Sequence, residues 1–244
     1  VPNVTAFNRI QFACADLDQS VSEYQYLFGS EPGWRGEVSV GEETVSAAWF
    51  YLQNTVLELL CLPEKKPGLW GLVLECEQDS LQGVQLESEA SRSLPITLQS
   101  RQLTLDHAPG ESQLQDMWSA IAAIPRVDHL VLYTSDADDC IRLFGDLGMR
   151  LALDQTVPEW GGRMVFFRCG KLTLEIIEPG KGLKGADYFW GIAYQAEDIE
   201  AVCARLSEAT LSAVRDGRKP GTRVATLKSH HLGIPTLLVQ QLPR

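Results

Sequence analysis

The chain has 244 residues, enough for two domains of ordinary size, and its 45% hydrophobic, 22% charged and 8% aromatic content is that of a soluble globular protein. A formal charge of −11 and a pI near 4.8 disfavour a nucleic-acid or anionic-membrane partner, since both reward basic patches. No run approaches the ~18 apolar residues needed to cross a bilayer.

From the N-terminus, Val1-Pro2-Asn3-Val4 shows no basic region followed by an apolar core, so no signal peptide is expected. Phe7 to Cys14 alternates as a strand. Asp16 then offers an N-cap to a helix with Leu17, Val21, Tyr24 and Phe28 on one face, ended by Gly29. Strands are expected at Ala47 to Leu52 and Val56 to Leu62, separated by the polar turn Gln53-Asn54-Thr55, and another from Gly71 to Cys76. Leu81, Val84 and Leu86 read as a short helix. Pro95 to Leu98 and Gln102 to Leu105 read as strands, but the closing strand of this half is not evident. Residues 106 to 125 form a joint. In it Leu114, Met117, Trp118, Ile121 and Ile124 make a helical stripe, read as interdomain packing.

The second half reads more cleanly. Val127 to Tyr133 is a strand, and Ser135 or Asp136 caps a helix that Gly148 ends. Strands Met164 to Cys169 and Lys171 to Glu178 follow, then a strand from Tyr188 to Ala196. A helix carries Ile199, Val202 and Leu206. Val224 to Lys228 and Pro235 to Gln241 close the chain. Six cysteines (Cys14, Cys61, Cys76, Cys140, Cys169, Cys203) are scattered without a CxxC pair. They suggest small buried hydrophobes in a reducing, cytoplasmic setting.

Three landmarks repeat. Asn8-Arg9-Ile10 recurs as Asp128-His129-Leu130, the Glu58 strand as the Glu175 strand, and Leu69-Trp70-Gly71 as Phe189-Trp190-Gly191, all 117 to 120 residues later. Near-constant spacing indicates a duplicated domain. The predicted organisation is a domain over 1–108, a linker helix over 109–125, and a domain over 126–244. Alternation places His129 with Val127, Val131 and Tyr133 on one strand face, and Glu175 with Thr173 and Ile177 on one face of another. A histidine and a carboxylate in one sheet form the evident chemical pair.

With its duplication and the "DHL … LEIIEP" spacing, the chain resembles the vicinal oxygen chelate superfamily, which includes glyoxalases, extradiol dioxygenases, epimerases and bleomycin-resistance proteins. The resemblance implies an α+β fold of two tandem glyoxalase-like domains. These are built from four βαβββ modules, each domain a curled mixed sheet with helices on its outer face. His129 and Glu175 fall on two of the family's metal-ligand positions. The remaining two fall on Gly191 and Leu237, whose side chains cannot bind metal. Ring-cleaving dioxygenase chemistry, which uses three of the four, is therefore not expected. The resemblance leaves room for one divalent metal (Zn, Ni, Mn or Fe) at His129 and Glu175, with His230 or His231 as a completing ligand. In the first half Arg9 replaces the histidine, and an Arg9–Glu58 ion pair is expected in place of a metal.

Two functions fit these residues. One is a small-molecule-binding protein with its cup in the second domain. The other is a lyase or isomerase using Glu175 as base, with His129 tuning it. Tyr133, Phe167 and Trp190 are candidate cup-lining residues, and Arg223, in the basic turn from Arg215, is a candidate for an anionic ligand group. The same aromatics also fit a plain core, and the turn a solvated one. A homodimer is a further expectation, because cup edges of this kind pair readily.

Overall fold

The computed structural model describes residues 3–77, 84–85, 94–101, 109–207, 210–228 and 231–243. The first module runs β1 (Val4–Cys14), α1 (Leu17–Phe28), β2 (Trp34–Val40), β3 (Glu43–Tyr51) and β4 (Val56–Cys61). The second contributes β5 (Gly68–Cys76), β6 (Val84–Gln85) and β7 (Ile96–Ser100). A helix, α2 (Glu111–Ala120), follows. The third module is β8 (Arg126–Tyr133), α3 (Ala137–Asp146), β9 (Arg150–Val157), β10 (Gly162–Cys169) and β11 (Leu172–Glu178). The fourth is β12 (Tyr188–Gln195), α4 (Ile199–Leu206), β13 (Arg215–Asp216), β14 (Thr222–Thr226) and β15 (Thr236–Gln241).

The strands form two mixed sheets, one in the order β2-β3-β4-β1-β5-β7-β6 and the other β13-β14-β15-β12-β8-β11-β10-β9. The class is α+β with tandem glyoxalase-like domains. Each of α1, α3 and α4 starts on an aspartate that accepts a bond from its own first turn. Asp16 caps Gln19 N at 2.9 Å, Asp136 caps Asp139 N at 2.9 Å, and Asp198 caps Ala201 N at 3.1 Å. Gly29, at φ 72°, closes α1 with its N–H on the Gln25 carbonyl, a left-handed position that a side chain would strain.

Residues 84–85 form a strand paired with β7, Val84 opposite Leu98, rather than the helix expected around Leu81 and Leu86. Leu81, Leu86 and the strand expected at Gln102 to Leu105 lie outside the described residues. Three strands that the sequence did not announce, β2, β9 and β13, are all sheet edges. Every residue of β9 is exposed or half-exposed, so the strand has no apolar face to alternate with.

The contacts divide the chain into two compact units. The first comprises Val1–Ile10, Trp70–Ala108 and His129–Gly191. Its core includes Leu130, Leu132, Val165, Phe167, Leu174 and Ile176, on the faces of β8, β10 and β11 under α3, with Phe144 tilted against Phe167 at 5.8 Å. The second comprises Gln11–Leu69, Pro109–Asp128 and Ile192–Arg244. There Phe28 meets Tyr194 edge-on at 5.5 Å, and Arg205 of α4 donates to the Tyr26 and Leu27 carbonyls at the end of α1. The helix α2 packs on β3, with Met117 beside Gly33.

Candidate functional site

β11 lies parallel to β8, with Thr173 opposite His129 and Glu175 opposite Val131. The Leu172, Leu174 and Ile176 face is buried, so Thr173, Glu175 and Ile177 are turned the other way, half-exposed. His129 shares that open face. Its Nε2 stands 3.6 Å from Glu175 Oε2, with the side chains 22% and 13% exposed. This separation exceeds a hydrogen bond, yet it is close enough for each group to influence the other's charge. The pair expected from the sequence is therefore brought together, and water reaches both members.

β10 lies antiparallel on the far side of β11 and sets Phe166 opposite Glu175. Phe166, rather than the Phe167 expected from the sequence, shares the open face with Glu175. Phe167 is fully buried against Phe144, because its parity puts it on the helix side of the strand. Only the register of the folded sheet separates these two adjacent phenylalanines.

At the other end of the face Tyr133 stacks on Tyr188, with centroids 5.6 Å apart and planes 17° apart, and leans on Trp190 at 5.5 Å. Tyr188 and Trp190 are 42% and 41% exposed, unusual for rings that have neighbours to pack on. Burial first, then Tyr188 and Glu175, push the Tyr133 hydroxyl above its ordinary pKa, so it remains a neutral donor. Tyr188 escaped the sequence reading. Its spacing of two from Trp190 on one strand was the available cue.

Arg223 lies on β14 opposite Gln240, and its guanidinium pairs with Glu200 of α4. Gln240 in turn bonds Glu197 O and Ile199 N at the start of that helix. Arg223 thus ties the strand to its helix.

In the first half, Glu58 is 2% exposed and accepts from Gln11 Nε2 at 2.7 Å and Trp49 Nε1 at 2.9 Å. Arg9 donates to Asn8 Oδ1 at 2.8 Å and Gln99 Oε1 at 3.1 Å. The sequence reading missed both neutral donors to Glu58. Trp34, Trp49 and Tyr51 crowd the same region, with Trp34 and Trp49 4.5 Å apart.

Among the described residues, the metal implied by the resemblance finds too few donors. His129 and Glu175 stand close enough to share one cation, but a catalytic zinc usually takes three protein ligands. Gly191 brings no donor, and Leu237 packs against Ala193, Val224 and Val239. Among the described residues no group of three or more His, Cys, Asp or Glu side chains is placed to hold a metal ion. His230 and the side chain of His231 lie outside that description.

Residues 128–226 match the model of the Glyoxalase/Bleomycin resistance protein/Dioxygenase superfamily. No curated protein sequence matches the chain. Among solved structures, a triple mutant of 4-hydroxymandelate synthase from Streptomyces coelicolor aligns over 99% of this chain and 93% of its own, at 12% identity and a TM-score of 0.61. An extradiol ring-cleaving dioxygenase from B. fuscum aligns over 99% of this chain and 73% of its own, at 14% identity and a TM-score of 0.62. Identities this low establish the fold alone. The comparisons thus give a fold shared with these enzymes over the whole chain and a match of residues 128–226 to the superfamily model.

Proposed function

We propose that the chain binds a small organic molecule in the cup formed by the open face of β8, β10, β11 and β12. The observation that carries this reading is the half-exposed pair Tyr188 and Trp190, held by Tyr133 on the face that presents His129 and Glu175. Exposed rings supply apolar area for a flat molecule, and a few convergent polar groups fix its orientation. The ligand is held without a complete family metal site.

A second reading deserves its own test because Glu175 is reachable by water and stands beside an imidazole. In this reading Glu175 takes a proton α to a carbonyl, and His129 either neutralises the carboxylate or returns the proton. The reaction class is lyase or isomerase.

The two separate in one experiment on the full chain. A panel of carbonyl metabolites is screened by thermal shift and by quenching of tryptophan fluorescence. Trp190→Ala is expected to weaken binding about tenfold, in line with an aromatic contact of roughly 1–1.5 kcal/mol. Glu175→Gln is expected to spare binding under the first reading and to abolish turnover under the second. Binding unchanged in Trp190→Ala would rule out this cup as the site.

A further inference from the structure

The register of β8 to β11 lays the open face out in rows. One row runs Arg150, Arg168, Thr173, His129, since Arg168 is opposite both Arg150 on β9 and Thr173 on β11, and Thr173 is opposite His129. The next row runs Leu153, Phe166, Glu175, Val131. Arg168 lies between buried Phe167 and Cys169, so alternation turns it to the open face with Phe166, and it is exposed. Arg150, directly across from it, is exposed as well.

Two guanidiniums directly opposite on neighbouring strands repel each other. Neither the Arg150 nor the Arg168 guanidinium has a hydrogen bond or ion pair within the described residues, in a chain whose formal charge is −11. Arg163, on the helix side of β10, shows the contrasting case, bonded to both Asp154 and Asp138. Carboxylates are thus supplied to the arginine that faces the helix and withheld from the two at the end of the open face.

We propose that Arg150, Arg168 and Thr173 form an anion-binding corner of the cup, so that its ligand is an organic acid. Its carboxylate or phosphate lies at the corner, and its planar body crosses Phe166 toward the Tyr188–Trp190 rings. This rests on the reading of the open face as a ligand site and adds the class of ligand to it. Adjacent rows are two residues apart, about 7 Å along the strands, which sets the span from the anionic group to the atom that meets Glu175. Forked guanidinium donors suit both carboxylate and phosphate, and the Thr173 hydroxyl adds a third donor.

The test uses the full chain and three probes that share one ring: phenylacetate, phenyl phosphate and neutral 2-phenylethanol. Calorimetric titration at low salt is expected to show at least one acid binding about tenfold or more tighter than the alcohol, as charge-assisted bonds require. Added salt should erode that advantage. Whichever acid prevails identifies the group the corner takes. Arg150→Gln and Arg168→Gln should each remove most of the advantage and leave the alcohol's affinity alone, whereas Trp190→Ala should weaken all three probes. Acid and alcohol binding alike, with Arg168→Gln changing neither, would overturn the corner and leave the cup standing. Failure of every probe to bind would overturn both. Melting curves of the ligand-free variants guard against misfolding. Removing one of two facing cations should leave Arg168→Gln at least as stable as the parent.

Discussion

Glu58 occupies the position in β4 that Glu175 occupies in β11, yet the two carboxylates live differently. Glu58 is sealed in with an amide and an indole N–H, while Glu175 is open to water beside an imidazole. Removing the Glu58 acceptor leaves the Gln11 and Trp49 donors without their carboxylate, and a stranded buried donor costs about 1–3 kcal/mol. Glu58→Ala is therefore expected to lose about 2–4 kcal/mol in urea denaturation, and Glu175→Ala well under 1 kcal/mol. Equal losses would contradict this division. The cysteines give a pH signature at the same scale. All six are free, and burial pushes the Cys140 and Cys169 thiols up to about 12 from their ordinary 9.0. Above pH 9 the unfolded chain gives up these protons while the native one keeps them, so stability falls as pH climbs from 9 toward 12. Below that window both states hold the protons and the thiols contribute no slope. Urea midpoints across the alkaline range should decline, and less steeply in a Cys140→Ala, Cys169→Ala double variant.

At the scale of elements, β10 carries two adjacent phenylalanines with opposite duties. Phe167 packs on Phe144 under α3, and Phe166 lies across from Glu175. Phe167→Ala is expected to cost about 3–5 kcal/mol, the usual range for emptying an aromatic core site. Phe166→Ala should cost far less in stability and show its effect in ligand affinity. A reversed ranking in denaturation would mean that the faces of β10 are assigned the wrong way round. Helix starts were legible where an aspartate precedes an apolar stripe, as at Asp16 and Asp136. Edge strands were not legible. β2 and β9 bury little, so the period-two hydrophobic pattern that betrays a central strand is weak or lacking in them.

At the scale of the molecule, each sheet is built from one half of the sequence, but the second compact unit draws on both: Gln11–Leu69 and Ile192–Arg244 pack together. Tyr194 is fully buried against Phe28, and Arg205 bonds the last carbonyls of α1. A fragment of residues 126–244 would expose that apolar face. It is expected to bind a hydrophobic dye and to melt without a sharp transition, while the full chain melts cooperatively. A fragment that melts as sharply as the parent would show that this packing is dispensable. In the full chain, Arg205→Ala should lower stability by about 1–2 kcal/mol by uncovering the end of α1.

The sequence by itself determined the duplication, the order of the central strands and their helices, and the presence of one imidazole and one carboxylate per copy or their replacement. Those properties are local: periodicity, capping residues and spacing are written in consecutive positions. Only the tertiary structure decided which side of each strand is buried. It turned Phe166 rather than Phe167 to the open face, tied Arg223 to Glu200, and set Arg150 across from Arg168. Each of these depends on register between strands far apart in sequence, and a one-residue change of register reverses every side chain in a strand.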